Sequence, residues 1–428
     1  MFPFHVVEHI VPAQHIRDFP RALLDEEETV LNLHVKQYIP IDNPEPQPGD
    51  ITIIGAHANG FPKELYEPLW EDLHLKSKKH NFRIRSIWIA DVAHQGWSSA
   101  LNENKLGNDP SWFDHSRDLL HLINTKRDQM PQPIIGMGHS MGGAQLVHLA
   151  YMHPRLFRTL VLIDPVIQIY ATVPAHVGAN PAQLSTFRRD IWPSREEAAK
   201  GFKASKFYQR WDSRVLDRWI KYGLRDLPTA LHDSDSSSQG SQQVTLTTPK
   251  HQEVFTFLRP NYDHEGADGK PVNRKARPDL NPAMPALGNF YRSEGPATFM
   301  RLGELRPTAL YVFGAESDIG KPEGPDKKVP LTGIGPGGSG GQKEGKVHSI
   351  TYERVGHLIA MEAVDRLAED SASWIGKEIQ GWRNDQEELK RTWRSRPRKE
   401  RQMVDELWKA QIGGQPGRGK PKPQASKL

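Results

Sequence analysis

Ser140 lies in Gly138-His139-Ser140-Met141-Gly142, a G-x-S-x-G pattern with an apolar run before it and an apolar, helix-like segment after it. A serine hydroxyl on such a turn is a candidate nucleophile for acyl transfer through an acyl-enzyme. The hydroxyl is weak until a positioned base takes its proton, and that base needs a carboxylate to hold its tautomer. Among 19 histidines, His357 is the expected base. It follows the last predicted strand, lies on the loop entering the terminal helix, and fits the chain order Ser…Asp/Glu…His. His139 adjoins the serine, but neighbours on a tight turn point apart, so a packing role is expected for it. His57, after the first parallel strand, is expected to shape an oxyanion hole.

Two carboxylates compete for the third role. In many enzymes with this pattern the acid follows the strand before the last, often as Gly-x-x-Asp. Here that stretch reads Gly314-Ala315-Glu316-Ser317-Asp318, so Ser317 holds the usual place and Asp318 falls one residue late. One residue at a strand end re-aims the side chain. Asp164 ends the strand directly after the nucleophile unit and is the preferred acid, with Asp318 the alternative. Strand ends reading Leu-Ile-Asp-Pro also occur where the carboxylate merely ties a loop. The oxyanion donors are expected to be the N–H of Met141 and one from the loop after the first parallel strand, at Asn59 or Ala58.

These residues need a scaffold that brings strand ends together. Ile134 to Met137 reads as a buried strand, followed by a helix through Ala144, Leu146, Val147 and Ala150. Residues 4–12 and 28–40 read as a leading antiparallel ribbon. Further strands are expected at Ile51–Ile54, Ile84–Ile89, Leu160–Ile163, Ala309–Gly314 and Val347–Tyr352. Helices are expected at Lys63–Leu73, Asp114–Arg127, Arg195–Lys206 and Ser213–Tyr222, with one long helix from His357 through Trp374 and a charged one near Arg398–Ile412. Alternating strands and helices from residue 50 onward imply an α/β fold, a mostly parallel central sheet with flanking helices. His57, Asp91, Ser140 and Asp164 all follow strand ends and should line one rim.

The expected organisation is a core half at 1–165, an inserted helical lid at 166–305, the second core half at 306–380, and a basic tail at 381–428. Trp192, Phe202, Phe207, Tyr208, Trp211, Trp219, Phe255 and Phe257 of the lid are expected to supply apolar pocket walls or the lid's own core. Gly333 to Gly341 is read as a mobile loop, because no helix N-terminus follows to complete a phosphate cradle. Asp233 to Gly240 is read as another.

The 428 residues include no cysteine, which excludes disulfides and a thiolate nucleophile. No run of 18 apolar residues marks a transmembrane helix, and the N-terminus does not read as a secretory signal. From Lys377 to Leu428 there are 14 Lys+Arg against 7 Asp+Glu, so the formal charge of +4 belongs to the tail and leaves about −3 on the rest. Nothing in the pattern supports nucleic-acid binding, a metal site or a dinucleotide cofactor. The terminal Ser426-Lys427-Leu428, after a glycine- and proline-rich spacer, reads as a peroxisomal address for an import receptor.

His57-Ala58-Asn59-Gly60-Phe61, Gly138 to Gly143, Gly337 to Gly341, Gly356-His357-Leu358 and the terminal tripeptide together resemble the α/β-hydrolase superfamily over roughly residues 28–380. More narrowly, they look like a fungal peroxisomal branch of lipases and acyl-CoA hydrolases of polyketide or toxin biosynthesis. In the acyl-CoA hydrolases of that branch the acid follows the strand after the nucleophile helix, which corresponds to Asp164. The resemblance implies a peroxisomal serine hydrolase with Ser140, Asp164 and His357, acting on an acyl-CoA thioester or, alternatively, on triacylglycerols or simple esters. A non-catalytic binding protein on the same fold is the rival class. Lys203, Lys206 and Arg210 would favour a phosphate-bearing CoA substrate if they face the pocket mouth.

Overall fold

Apolar runs bounded by glycine, proline or aspartate form the strands, and their burial on both faces requires helices on both sides. The computed structural model describes residues 2–171, 180–234, 242–281, 283, 288–318 and 324–413. The chain divides into two compact units, Met1–Ile379 and Gln380–Leu428.

In the first unit, β1 (Phe4–Pro12) and β2 (Asn32–Pro40) form the leading antiparallel ribbon. They are followed by β3 (Ile51–Ala56), β4 (Ile84–Ala90), β5 (Ile134–His139) and β6 (Thr159–Ile163). A cap then carries β7 (Ile191–Trp192), β8 (Leu224–Asp226), β9 (Val244–Leu246), β10 (Arg259–Pro260) and β11 (Phe290–Tyr291) before the sheet resumes with β12 (Thr308–Gly314) and β13 (Val347–Tyr352). The central sheet has the order β1-β2-β4-β3-β5-β6-β12-β13. It is parallel from β4 to β13 and antiparallel at β1, β2 and β4. Every residue of β3, β5 and β6 is buried. On one face Leu69 and Trp70 of the helix Glu67–Lys79, with Leu367 and Ile375 of the helix Val364–Leu389, cover Ile53, Met137 and Val161. On the other, Leu119 and Leu122 of Trp112–Thr125 and Leu146 and Val147 of Met141–Met152 cover Ile54, Leu160 and Leu162. Each such side chain contributes about 1.5–3 kcal/mol on burial.

Several local expectations are corrected. The segment from Lys63 opens as a 3-10 turn to Tyr66 before the helix begins, and the helix runs on to Lys79. The single helix expected after His357 is split into Ile359–Glu362 and Val364–Leu389. The charged helix near the end shortens to Glu406–Gln411. The cap is not purely helical: β7, β9 and β8 form one antiparallel sheet, and β10 pairs β11. Strands of two or three residues have too short an alternation to register as a pattern. Gly333 to Gly341 is tied down, with Gly335 N–H donating to Gly303 O at 2.8 Å and Ser339 N–H to Leu305 O at 3.0 Å. Residues 235–240 of the polar cap stretch lie outside the described residues.

Of the cap aromatics, Trp192, Phe202, Trp211 and Trp219 are buried in the same apolar cluster as Leu65, Tyr66 and Met361, while Phe255 and Phe257 are half-buried. Phe202 stands 5.6 Å from Trp192 and 5.9 Å from Trp219 between ring centroids. Phe61, from the core, packs edge-on against Trp211 and Trp219. Phe207 is exposed.

Candidate active site

β5 ends at a forced turn. Ser140 has φ +57° and ψ −119°, a left-handed conformation that costs a side-chain-bearing residue energy and is retained where the surroundings over-determine it. Here they do: Ser140 N–H donates to Ile163 O at 2.9 Å, and Val166 N–H to Ser140 O at 3.1 Å. A Cβ on Gly138 would lie 2.6 Å from Gly142 O, and one on Gly142 would lie 2.2 Å from Ala56 O. No larger residue fits at either position. The turn carries the serine hydroxyl above the sheet, at the start of the helix Met141–Met152.

His357 Nε2 lies 2.8 Å from Ser140 Oγ, and its Nδ1 lies 2.6 Å from Asp164 Oδ2. A carboxylate accepts only, so Nδ1 bears the proton and Nε2 is left to accept from the serine. Asp164 sits just past β6 with φ +38°, and its N–H donates to Val312 O at 2.7 Å. Its side chain is buried. Burial alone would raise its pKa, but the hydrogen bond and charge attraction of His357, the Ser317 hydroxyl and the Lys328 ammonium hold it below the usual carboxylate range. Ser317 Oγ donates to Asp164 Oδ2 at 2.5 Å. Ser317, in the usual acid position, therefore supports Asp164 from the neighbouring strand end, while Asp318, the alternative, is exposed.

Of the expected oxyanion donors, Ala58 is corrected. Its N–H donates to Tyr66 Oη at 2.9 Å and is spent. The amides of Asn59 and Met141 have no hydrogen-bond partner among the described residues. The Asn59 side chain is held on both sides, donating to Glu253 O of the cap helix Lys250–Phe257 at 3.0 Å and accepting from Gln95 Nε2 at 2.7 Å. Gly60 N–H donates to Gln95 Oε1 at 2.8 Å. His57 shapes the loop through the backbone: its Nδ1 donates to Ala58 O at 2.9 Å, and its Nε2 accepts from Val92 N–H at 2.9 Å. Asp91 does not face the site. It is fully buried, 2.6 Å from the equally buried Lys63 ammonium, and it accepts the N–H groups of Lys63 and Trp97.

His139 does more than pack. Its Nδ1 lies 2.9 Å from Tyr66 Oη and its Nε2 lies 2.9 Å from the His357 carbonyl oxygen. A carbonyl only accepts, so Nε2 donates to it, Nδ1 accepts the Tyr66 proton, and Tyr66 Oη accepts the Ala58 N–H. Burial first, then the neighbouring His357, push the His139 pKa down to about 3, so the ring is neutral as this chain of bonds requires. The loop holding Ala58 and Asn59 and the loop holding His357 are thereby tied through Tyr66 and one imidazole. Nothing in the sequence signals this pairing, because Tyr66 and His139 lie 73 residues apart. Tyr66→Phe leaves two buried groups unpaired and is expected to lower kcat about tenfold, with KM little changed. Steady-state kinetics on the best substrate checks this; an unchanged kcat would show that the link positions nothing.

Arg210 is committed to ion pairs with Glu316 and Glu362, both at 3.0 Å, and it also donates to Arg354 O, three residues before His357. Lys203 and Lys206 are exposed.

The sequence model of the alpha/beta hydrolase family matches residues 53–370. The chain is 38% identical to a type I acyl-CoA thioesterase of Penicillium roqueforti over 436 residues, 97% of each chain. It is 40% identical to one of Penicillium brevicompactum over 420 residues, 95% of this chain and 94% of that one. An abhydrolase domain-containing protein of Alternaria alternata is 29% identical over 281 residues, 65% of this chain and 97% of that one. Among solved structures, a peroxisomal alpha-beta-hydrolase of Saccharomyces cerevisiae superposes with a TM-score of 0.65 at 16% identity over 96% of both chains.

Proposed function

The chain belongs to the alpha/beta hydrolase family and is a hydrolase, and from that premise we propose that it is a serine hydrolase that cleaves acyl-CoA thioesters. The reading rests above all on one observation, the continuous line Asp164–His357–Ser140 with steps of 2.6 and 2.8 Å. In this mechanism Ser140 Oγ attacks the acyl carbonyl while His357 Nε2 takes its proton. The carbonyl oxygen, now an anion, lies against the Asn59 and Met141 amides, aided by the helix dipole behind Met141. Collapse breaks the acyl–sulfur bond, and His357 returns the proton to the thiolate that leaves. Water, deprotonated by His357, then attacks the Ser140 ester, and the proton passes back to the serine as the carboxylic acid departs. Asp164 stays ionised, holding the imidazole tautomer and balancing the imidazolium.

A thioester is favoured over an oxyester because the relatives that match nearly end to end are named as acyl-CoA thioesterases. The terminal Ser426-Lys427-Leu428, outside the described residues, supports import into the peroxisome matrix through the receptor that reads such tripeptides. The test is a panel of acyl-CoA chain lengths beside p-nitrophenyl esters and triacylglycerols. The highest kcat/KM is expected on an acyl-CoA; faster turnover of triacylglycerol or simple ester would replace this reading with a lipase or carboxylesterase.

A further inference from the structure

The second unit combines two features that seldom coincide on a solvated tail. Between Lys390 and Arg401 the sequence carries seven Lys and Arg and one acidic residue, Glu400. Large apolar side chains stand exposed around them: Trp393 at 43%, Met403 at 58%, Leu407 at 68%, Trp408 at 60% and Ile412 at 71%. Isolated exposed apolar residues are ordinary, but these five large ones between Trp393 and Ile412 exceed ordinary scatter. The helix ends at Leu389, continues as a π-helical turn over Lys390–Arg394, and resumes at Glu406–Gln411, where Asp405 accepts the Trp408 N–H at 2.7 Å. The Arg396 guanidinium lies 5.9 Å from the Trp393 ring.

We propose that this unit is a docking surface for anionic membrane lipids, in which Lys390, Arg391, Arg394, Arg398, Lys399 and Arg401 meet headgroup phosphates and carboxylates while Trp393, Leu407 and Trp408 enter the interface. Charge complementarity argues for that occupant. Basic clusters next to tryptophan and leucine suit an anionic bilayer surface, where the rings take the headgroup level and the aliphatic chains reach the acyl boundary. A single-stranded nucleic acid would engage the cations and the two tryptophans, but it gives Met403, Leu407 and Ile412 nothing to bury in. A second copy docking through the same run would set Lys390–Arg401 against its own like charges. The attraction is confined to this part of the chain, since the residues before Lys377 carry a net negative charge. No described helix is long and apolar enough to cross a membrane, so the contact is peripheral and sensitive to salt.

The experiment is co-sedimentation of the full chain with phosphatidylcholine vesicles, alone and with about 30% phosphatidylserine, at about 0.1 M and about 0.5 M salt. At low salt the bound fraction is expected to rise about tenfold when the anionic lipid is present, and to fall back at high salt. The variant R391E/R394E/R398E/R401E is expected to treat both vesicles alike, and W393S/L407S/W408S to lose most of its binding to the anionic ones. Hydrolase activity in solution, unchanged in both variants, reports that each is folded. Three outcomes overturn the proposal: binding to neither vesicle, a charge variant that binds as wild type does, or displacement of the wild-type chain from anionic vesicles by a single-stranded oligonucleotide at equal charge. A fourth is an apolar variant that turns a dimer into a monomer in light scattering while vesicle binding stays unchanged.

Discussion

Replacing Ser140 with alanine is expected to lower kcat/KM by about a millionfold, leaving only what binding and the oxyanion donors accelerate without a nucleophile. The change removes a single oxygen. The backbone conformation of residue 140 is held by its bonds to Ile163 and Val166, not by the hydroxyl, so the fold should survive and KM should change little. Without Oγ, a water would have to attack the bound acyl group directly from a site shaped for a covalent step. Intact-mass measurement after treatment with a fluorophosphonate supplies an independent readout. The wild-type chain should gain one adduct and Ser140→Ala none. A variant that labels as fast as wild type, or that keeps more than a trace of turnover, would sink the serine mechanism and return the chain to the binding-protein class.

The second large effect concerns Asp164. Asp164→Asn is expected to cost about ten-thousandfold in kcat. The amide preserves the shape but offers His357 Nδ1 a donor, so the imidazole turns to the tautomer with its proton on Nε2. In that form it donates to Ser140 and cannot take its proton. Asp318→Asn, at an exposed position, is expected to leave kcat within about twofold. Ser317 permits a stronger test. Its Oγ is 2.5 Å from Asp164 Oδ2, which is itself 2.6 Å from His357 Nδ1. A carboxylate grown from position 317 can therefore reach the same nitrogen. Adding Ser317→Asp to Asp164→Asn is expected to restore about tenfold or more of the lost rate, because a correctly placed acceptor is what fixes the tautomer. Full activity in Asp164→Asn alone would remove Asp164 from the mechanism, and loss of activity in Asp318→Asn would put Asp318 in its place.

Much of this arrangement was legible in the chain because it depends on short-range rules. A buried parallel strand is a continuous apolar run, a strained turn shows as flanking glycines, and a strand's end shows as an abrupt aspartate or histidine. Ser140, His357 and Asp164 are each readable this way. The choice between Asp164 and Asp318 was readable only as a preference, since which way a side chain leaves a strand end depends on the neighbouring strand. β12 lies beside β6, and it is this pairing that turns Ser317 toward Asp164.

Other features had no local signature. The amide of Ala58 looked as available as that of Asn59 until the fold brought Tyr66 to it. Gln95 and Glu253 are separated from Asn59 by 36 and 194 residues, yet both hold its side chain. Adjacency to Ser140 predicts only packing for His139, because neighbours on a turn diverge; the ring diverges toward the His357 loop and donates to the His357 carbonyl there. The cap aromatics suit a pocket wall or a core equally, and packing places Trp192, Phe202, Trp211 and Trp219 in the core.

Periodicity, glycine placement and residue chemistry act over a few neighbours, so the fold class, a serine on a glycine-flanked turn, a histidine after the last strand and a basic tail without cysteines are all readable from the chain alone. Which carboxylate meets His357, which of the Ala58 and Asn59 amides is left without a partner among the described residues, and which side chains hold those loops follow from the packed fold. Each of those is a hydrogen bond between groups far apart in the chain, and a buried polar group takes whichever partner the packing of the sheet and cap brings within 3 Å or so.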